Sequence, residues 1–378
     1  MSTFDPVDKE IDAAIGAGVF PGAVLLVRDG ERAFYRRAYG LRSLEPTSTA
    51  MTEDTIFDVS SLTKAFATSV ATMRLVAEGK VRLDDRVTRF FHNFGVYGKA
   101  PISFRHLLSH ASGLRAWRPF FEDIRTAEQR GARLNFLGTE AAKEWVYQEI
   151  QREQLERPVG SRAVYSDVGF MLLGALVEEV SATPLGRHCE TRIFRPLGLR
   201  RTTFVDLDAR RVRPLDPSRD PIAPTERCPW RKEVLCGVVH DDNAYAMGGI
   251  AGHAGLFSTA DDLDTLLTHL RDCWAGRAAT PLVPRHVIRE FWSPAGTAAE
   301  STWCLGWDTP SPQGSSAGER FSRHSVGHLG FTGVSAWLDL DAERHVILLT
   351  NRVHPRRGND AIQGFRPRLH DLVVAALG

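Results

Sequence analysis

The sequence predicts an α+β fold, with one sheet domain assembled from both ends of the chain and an all-helical insertion between them. Two strand-like runs lie near the N-terminus, two lie near the C-terminus, and the segment between them is rich in helical patterns. At 378 residues the chain is long enough for two or three domains. We therefore expect residues 1–80 and 240–378 to form a discontinuous sheet domain and residues 81–239 to form a helical domain.

The N-terminal part opens with a helix and a hairpin. Pro6–Ala17 has a helical pattern, and the strand runs Gly22–Arg28 and Arg32–Tyr39 are joined by Asp29-Gly30, a typical hairpin turn. A further helix is predicted from Ser61 to Glu78, because apolar residues recur at helical spacing before Gly79.

The middle of the chain is irregular and mostly helical. We expect helices at Ser103–Gly113, Thr139–Gln154, Asp167–Val180 and Pro184–Phe194, and a long loop over the proline-rich stretch Pro214–Pro229.

The C-terminal part returns to strands. It is predicted to contain a glycine-rich segment, two helices, two strands around an Asp341-Ala-Glu turn, and a closing helix: Gly248–Ser258, Thr259–Trp274, Pro284–Trp292, Thr332–Leu340, His345–Asn351 and Arg366–Leu377.

Composition excludes several classes of function. Lys and Arg total 47 against 46 Asp and Glu, and no charged block is present, so we expect neither nucleic acid nor a membrane surface as a partner. The N-terminal residues lack the apolar core of a signal peptide, and the longest apolar stretch, Val168–Val177, is about half a membrane span, so we expect a cytoplasmic protein. The five cysteines form no CxxC pair, which argues against a zinc site or a disulfide framework.

The first candidate for chemistry is Ser61-x-x-Lys64. Residues three apart on a helix share a face, so the hydroxyl and the ammonium can touch. The serine would lie in the first helical turn, where free N–H groups favour an oxyanion, and a desolvated lysine could act as its base. In isolation the same pattern is also that of a surface helix capped by Ser60 or Ser61.

Two further motifs are candidates. Tyr165-Ser166-Asp167 precedes an apolar helix: Tyr165 beside a lysine could shuttle a proton if that charge lowers its pKa, while Asp167 could simply cap the helix. Gly327–Gly333 leads into a strand, and its glycines would let a ligand approach a free backbone N–H, although they also suit a tightly packed strand.

In order and spacing, Ser61-x-x-Lys64, Tyr165-x-Asp167 and His328-x-Gly330 resemble the three active-site motifs of the superfamily of class C β-lactamases, DD-peptidases and family VIII esterases. The segments around them resemble it as well, so that the likeness spans about residues 8–376: Phe57–Lys64, His106–Leu114, Pro196–Leu199 and Gly252–Ser258.

The resemblance implies a β-lactamase/transpeptidase-like fold, an antiparallel sheet flanked by helices plus an all-helical domain, with the site in the cleft between them. Ser61 would be the nucleophile that forms an acyl-enzyme, and Lys64 and Tyr165 would share the acid and base work. Asp167, His328 and Gly330 would orient the catalytic groups and the substrate. The backbone N–H groups of Ser61 and Phe331 would form an oxyanion hole. No cofactor or metal is expected.

The chain departs from the penicillin-recognising members at two positions. These members usually have Asn where this chain has Asp167, and Lys-Thr-Gly where it has His328-Leu329-Gly330. The loss of the lysine removes a permanent charge suited to a carboxylate, although His328 would still supply a donor. Efficient β-lactam hydrolysis is therefore not expected, while ester hydrolysis is.

Three other patterns are read as structural. Gly314-Ser315-Ser316-Ala317-Gly318 fits the nucleophile elbow, but prolines precede it and charges follow it, so Ser316 is assigned to a loop. His106 and His110 are spaced as in a zinc helix yet lack its glutamate, and are assigned to packing at a helix end. One or two of four tryptophans are expected to form an acyl-binding wall: Trp117, Trp230, Trp303 and Trp307.

The sequence therefore predicts a serine hydrolase that acts on small esters or amides through an acyl-enzyme at Ser61. An acyltransferase that uses the same acyl-enzyme stays open, because the two differ only in water access. A D-amino-acid peptidase or β-lactamase is a further alternative, as is a silent binding protein on the same scaffold. The sequence does not determine the oligomeric state.

Overall fold

A computed structural model describes residues 2–132, 135–207 and 215–378 of the protein. Its nine strands are β1 Gly22–Asp29, β2 Arg32–Ser43, β3 Thr49–Ala50, β4 Phe57–Asp58, β5 Thr203–Phe204, β6 Leu256–Ser258, β7 Ser325–Leu329, β8 Ser335–Asp339 and β9 Arg344–Thr350. Its α-helices are α1 Asp5–Gly16, α2 Val70–Ala77, α3 Phe104–Leu108, α4 Phe120–Gln129, α5 Glu140–Arg152, α6 Asp167–Ser181, α7 Leu185–Cys189, α8 Asp242–Ala246, α9 Ala260–Ala275, α10 Arg285–Phe291 and α11 Ile362–Leu377.

The main sheet joins the two ends of the chain, as predicted. Its order is β3-β2-β1-β9-β8-β7, and every neighbouring pair is antiparallel. β1 lies directly against β9, with Ala23 opposite Thr350, so the N-terminal and C-terminal strands meet in the middle of the sheet. The predicted α+β class with an antiparallel sheet is confirmed.

Both faces of this sheet are covered, which explains the unbroken apolar run of β1. Val24 and Leu26 face the large core that the central helices share, while Leu25 and Val27 face a second core formed with α1 and α11. Because successive side chains of a strand alternate between faces, a strand buried on both sides has to be apolar throughout.

A second, small sheet has the order β4-β6-β5 and brings the segment before Ser61 against the glycine-rich segment before α9. In the described part of residues 81–239, β5 is the one strand among helices and loops. Residues 215–229 form no helix and no named strand, in agreement with the predicted loop, whose Pro214 lies outside the described residues. The division into domains at residues 81 and 239 stays a prediction.

α6 is the central helix of the middle segment. Its residues from Val168 to Val177 are all buried, so the helix is apolar on every side. Among the described residues no single helix has the length and hydropathy to span a membrane, although α6 and the helical segment Leu185–Phe194, which are bent by 69° relative to each other, would pass together on those two criteria.

Several element boundaries differ from the predictions. The helix predicted from Ser61 contains a wide π-helical turn, Lys64–Ser69, before it continues as α2. The closing helix begins at Ile362 rather than Arg366, since Pro367 is accommodated inside it. The segment Glu190–Phe194 likewise continues α7 as a π-helical turn, and α4 was not predicted.

Candidate active site

Ser61 stands at the end of a short connection from β4 that a buried carboxylate holds in place. Asp58 accepts hydrogen bonds from the N–H of Ser60 at 2.8 Å and from that of His240 at 2.6 Å. Burial raises the pKa of the Asp58 carboxyl. Ser60 adopts a left-handed conformation with φ 49°, which is uncommon for a residue with a side chain. This bend presents Ser61 at the start of the helical segment.

Lys64 is fully buried and directs its ammonium at three oxygens. Nζ lies 3.1 Å from Ser61 Oγ, 3.0 Å from the carbonyl oxygen of His253, and 2.7 Å from Oδ1 of Asp167. The contact with Asp167 is an ion pair rather than a well-aligned hydrogen bond. The predicted approach of Lys64 to Ser61 is thus present.

Burial and neighbouring charges determine whether Lys64 and Tyr165 carry their protons in the resting enzyme. Burial lowers the pKa of Lys64, but the charge of Asp167 and the interactions with Tyr165 outweigh burial and leave this pKa above its ordinary value. Burial raises the pKa of Tyr165 more than the charge of Lys64 lowers it, so the phenol does not gain the lowered pKa that the sequence reading required. At neutral pH the resting site therefore holds an ammonium and a neutral phenol.

Tyr165 is placed by a loop that follows α3. His110 Nδ1 accepts the N–H of Ser166 at 3.1 Å, and the carbonyl oxygen of His110 accepts the N–H of Val164 at 2.9 Å. The ring of Tyr165 lies 4.7 Å from that of His110 and 4.8 Å from Lys64 Nζ, measured between ring centroids and from Nζ to the centroid. The predicted structural role of His110 thus includes positioning the second motif.

Asp167 is not the helix cap that the sequence suggested. Ser166 caps α6, because its Oγ accepts the N–H of Gly169 at 3.0 Å, and Asp167 is the first helical residue. The carboxylate of Asp167 is therefore free to pair with Lys64.

His328 lies on β7 and offers the site an acceptor, which corrects the expectation of a donor. Its Nδ1 is 2.7 Å from the carbonyl oxygen of Leu329. A carbonyl can only accept, so the proton is on Nδ1 and Nε2 carries a lone pair. Nε2 is buried and has no partner among the described residues. Burial, together with the nearby charge of Lys64, lowers the pKa of His328 to about 3, so the ring is neutral.

Gly330 is required by close packing against the segment that carries Ser61. A Cβ on Gly330 would lie 2.7 Å from the carbonyl oxygen of Val59 and 3.4 Å from Ser60 Cβ. Thr332 Oγ1 also donates to the backbone oxygen of Asp58 at 2.8 Å. The loop after β7 is therefore fastened onto the residues that precede Ser61.

Ser61 and Phe331, whose N–H groups are the two predicted oxyanion-hole donors, line the same cavity. Within residues 2–132, 135–207 and 215–378, neither the N–H of Ser61 nor that of Phe331 has an acceptor. The side chain of Phe331 is 48% exposed. The arrangement is that expected of an oxyanion hole, and the assignment stays a prediction.

A cavity of about 530 Å³ opens beside these groups. Its lining includes Ser61, Tyr165, Trp303, Ser316, His328, Phe331, Arg352 and Arg366. Of the four tryptophans considered, Trp303 lies on this wall, its ring 5.6 Å from that of Tyr165 and 5.7 Å from that of His328. Ser316 is in a loop, as predicted, but the loop borders the cavity. Arg352 and Arg366 were not predicted as site residues, because nothing in the sequence distinguishes them from the many other arginines of the chain.

The site holds a serine hydroxyl against a buried lysine, beside a tyrosine and two free N–H groups. This arrangement is typical of a serine hydrolase that forms an acyl-enzyme. A profile of the family described as Beta-lactamase matches residues 7–365. The protein therefore belongs to the β-lactamase family, and the predicted resemblance is confirmed.

Individual relatives agree with this assignment. The N-acetylmuramyl-L-alanine amidase of Bacillus subtilis (strain 168) is 32% identical over 92% of this chain and 80% of its own length. The hydrolase EstCE1, described as having promiscuous acyltransferase activity, has a TM-score of 0.70 at 22% identity over 97% of this chain and 98% of its own. Simvastatin synthase LovD of Aspergillus terreus has a TM-score of 0.72 at 17% identity, with both chains covered fully at 100%. The two structures show the fold, and the family confirms a serine hydrolase.

Proposed function

We propose that this protein hydrolyses the ester or amide bond of a small acyl donor through an acyl-enzyme on Ser61. The observation that carries the proposal is the 3.1 Å contact between Nζ of the fully buried Lys64 and Oγ of Ser61, which lines the cavity. A serine is a weak nucleophile until a neighbouring base takes its proton, and the lysine is in position to do so.

Lys64 reaches its base form by passing a proton to Asp167, which lies 2.7 Å away. A substrate that fills the cavity displaces water, and a buried ion pair loses stability relative to its neutral form when it is desolvated. Neutral Lys64 then accepts the proton of Ser61 as Oγ attacks the carbonyl carbon. The oxyanion forms against the N–H groups of Ser61 and Phe331.

The leaving group departs with a proton from the cluster of Lys64 and Tyr165. Water then attacks the carbonyl carbon of the ester on Ser61 and gives a proton to the same cluster, and the cluster passes that proton to Ser61 Oγ as the ester bond breaks and the carboxylic acid leaves. Asp167 finally returns its proton to Lys64. Each group returns to its first protonation state, so no external reagent other than water is consumed.

The natural substrate that we propose is an amide built from cell-wall components. Support comes from the relative named N-acetylmuramyl-L-alanine amidase, which aligns with 92% of this chain. Efficient β-lactam turnover is not part of the proposal, because His328 is neutral and places no cation on β7.

Four compounds test the proposal: p-nitrophenyl butyrate, N-acetylmuramyl-L-alanine, a peptide ending in D-alanyl-D-alanine, and nitrocefin. We expect turnover of the ester and of the muramyl amide, with little nitrocefin hydrolysis. Ser61→Ala removes this turnover, whereas Ser316→Ala, on the wall of the same cavity, retains it. Equal turnover by wild type and Ser61→Ala would refute the proposal, and cleavage of the D-alanyl peptide alone would replace the substrate class. Butyl butyrate formed in the presence of butanol would measure acyl transfer.

A further inference from the structure

Arg366 is a buried cation on α11 that has no carboxylate partner among the described residues. Its exposure is 6%, and its Nη2 donates to two backbone oxygens, that of Val334 at 2.9 Å and that of Gly330 at 3.2 Å. Burial lowers the pKa of the guanidinium to about 10, so the charge persists at neutral pH.

The two other buried arginines of the described residues, Arg271 and Arg352, each have a carboxylate partner. Arg271 is fully buried, but it forms ion pairs with Glu31 and Asp272 at 2.8 Å each. A buried charge without a counter-ion destabilises a fold, so the retention of one at Arg366 calls for a local reason.

The two acceptors of Arg366 flank the loop that carries the predicted oxyanion donor. The carbonyl of Gly330 belongs to the same peptide unit as the N–H of Phe331, and in a trans peptide these two groups point in opposite directions. Arg366 therefore binds one end of this peptide unit while its other end has no acceptor in residues 2–132, 135–207 and 215–378. Hydrogen bonds arranged in series polarise one another, so a cation on the carbonyl oxygen makes the N–H a stronger donor.

A second arginine supports the same loop. Arg352 Nε donates to the carbonyl oxygen of Phe331 at 2.8 Å, and its guanidinium lies 4.7 Å from the centroid of the Phe331 ring. Arg352 also pairs with Asp360 at 3.1 Å, so its charge is partly balanced. Arg366 thus supplies the uncompensated charge at the loop.

We propose that Arg366 is a positioning residue for the oxyanion hole: it fixes the peptide between Gly330 and Phe331 and polarises the N–H that receives the developing oxyanion. The inference rests on the proposed function, since it requires acylation of Ser61. Arg366 also lines the cavity, but the role that we propose is exerted on the oxyanion through the peptide.

The test uses the intact protein labelled with a fluorophosphonate, whose adduct on Ser61 resembles the tetrahedral intermediate. The ³¹P NMR shift of the adduct reports the hydrogen bonds to the phosphoryl oxygen. Three variants are compared with wild type: Arg366→Met, Arg366→Lys, and the matched control Arg271→Met. Steady-state kcat and KM for p-nitrophenyl butyrate are measured on the same samples.

We expect Arg366→Met to move the ³¹P resonance toward that of the denatured adduct and to lower kcat roughly 10-fold to 10²-fold, with KM nearly unchanged, somewhat less than the loss of an oxyanion donor itself. Arg366→Lys keeps a charged donor and is expected to lie between Arg366→Met and wild type. Arg271→Met is expected to lower the unfolding temperature and leave the ³¹P shift in place.

An unchanged ³¹P shift in the Arg366 variants, or a fall in kcat no larger than that of Arg271→Met, would overturn the inference. If Arg366→Met does not fold, the shift of the Arg366→Lys adduct decides in the same way. Absence of any adduct on Ser61 of the wild type would instead contradict the proposed function, so the two failures are distinguishable.

Discussion

A single methyl group at Gly330 is predicted to disable the oxyanion hole. In Gly330→Ala the new Cβ would collide with Val334 Cγ2 and lie 2.7 Å from the carbonyl oxygen of Val59. The second neighbour is backbone in the segment that leads to Ser61, so a side-chain rotation cannot relieve the contact. Either the loop after β7 or the nucleophile segment has to move.

The size of the effect follows from the distance. Restoring an ordinary contact with Val59 requires a separation near 3.4 Å, which is a displacement of about 0.7 Å. An oxyanion hydrogen bond of about 2.9 Å would lengthen to about 3.6 Å, which is no longer a hydrogen bond. Loss of one oxyanion donor costs about 10²–10³ in kcat, or about 2.7–4 kcal/mol.

The assay is kcat for p-nitrophenyl butyrate, with the unfolding temperature measured alongside. Gly358→Ala is the matched control, because a Cβ at Gly358 meets nothing within 4 Å and its φ is not positive. We expect Gly330→Ala to lose two to three orders of magnitude in kcat while Gly358→Ala matches wild type. A Gly330→Ala enzyme that is folded and within about twofold of wild type would refute the reasoning on the loop.

Three further predictions concern Asp167 and His328 in the site and Ser166, the residue that caps α6. Asp167→Asn removes the carboxylate that takes the proton of Lys64, so kcat/KM for p-nitrophenyl butyrate is expected to fall roughly 10²-fold to 10⁴-fold at neutral pH, and a value equal to that of wild type would show that Asp167 does not receive this proton. His328, with a pKa of about 3, stays neutral from pH 5 to 8, so His328→Asn leaves the limbs of the pH profile of kcat/KM in place, and a limb near pH 6.5 found in wild type alone would contradict its neutrality. Ser166→Ala removes the cap from Gly169 and is expected to lower the free energy of unfolding by about 1 kcal/mol in urea denaturation, whereas no change would mean that another group caps α6.

The sequence predicted the elements that local patterns determine. The hairpin of β1 and β2 is specified by its turn and its apolar runs, and the Thr139 cap of α5 is specified by its residue type. The sheet from both ends followed from where the strand patterns lie. By contrast, no local sequence pattern predicted the π-helical turn Lys64–Ser69, all of whose residues are buried.

The candidate site likewise combines residues that the sequence predicts with features that depend on the folded structure. The resemblance of the motifs, in order and spacing, to those of the family selected Ser61, Lys64 and Tyr165, and the fold places Lys64 Nζ 3.1 Å from Ser61 Oγ and 4.8 Å from the centroid of the Tyr165 ring. The tautomer of His328 did not follow, since it depends on the carbonyl that its Nδ1 meets in the folded strand. The alternative interpretation of Asp167 as a helix cap was wrong, because Ser166 and Asp167 are equally good caps by residue type and only the fold shows which one faces the backbone.

Arg366 could not have been selected as a site residue from the sequence. Lysine is rare in this chain, so each lysine could be inspected in turn, but arginine is abundant and spread along its length. Burial without a counter-ion distinguishes Arg366, and burial is a property of the folded chain.

The most direct test of the central claim is the intact mass of the enzyme after acid quenching of its reaction with p-nitrophenyl butyrate, followed by peptide mapping. The account predicts one butyryl group on the peptide that contains Ser61 in wild type and in Ser316→Ala, and none in Ser61→Ala. A butyryl group on any other residue, or an equal adduct in Ser61→Ala, would contradict it.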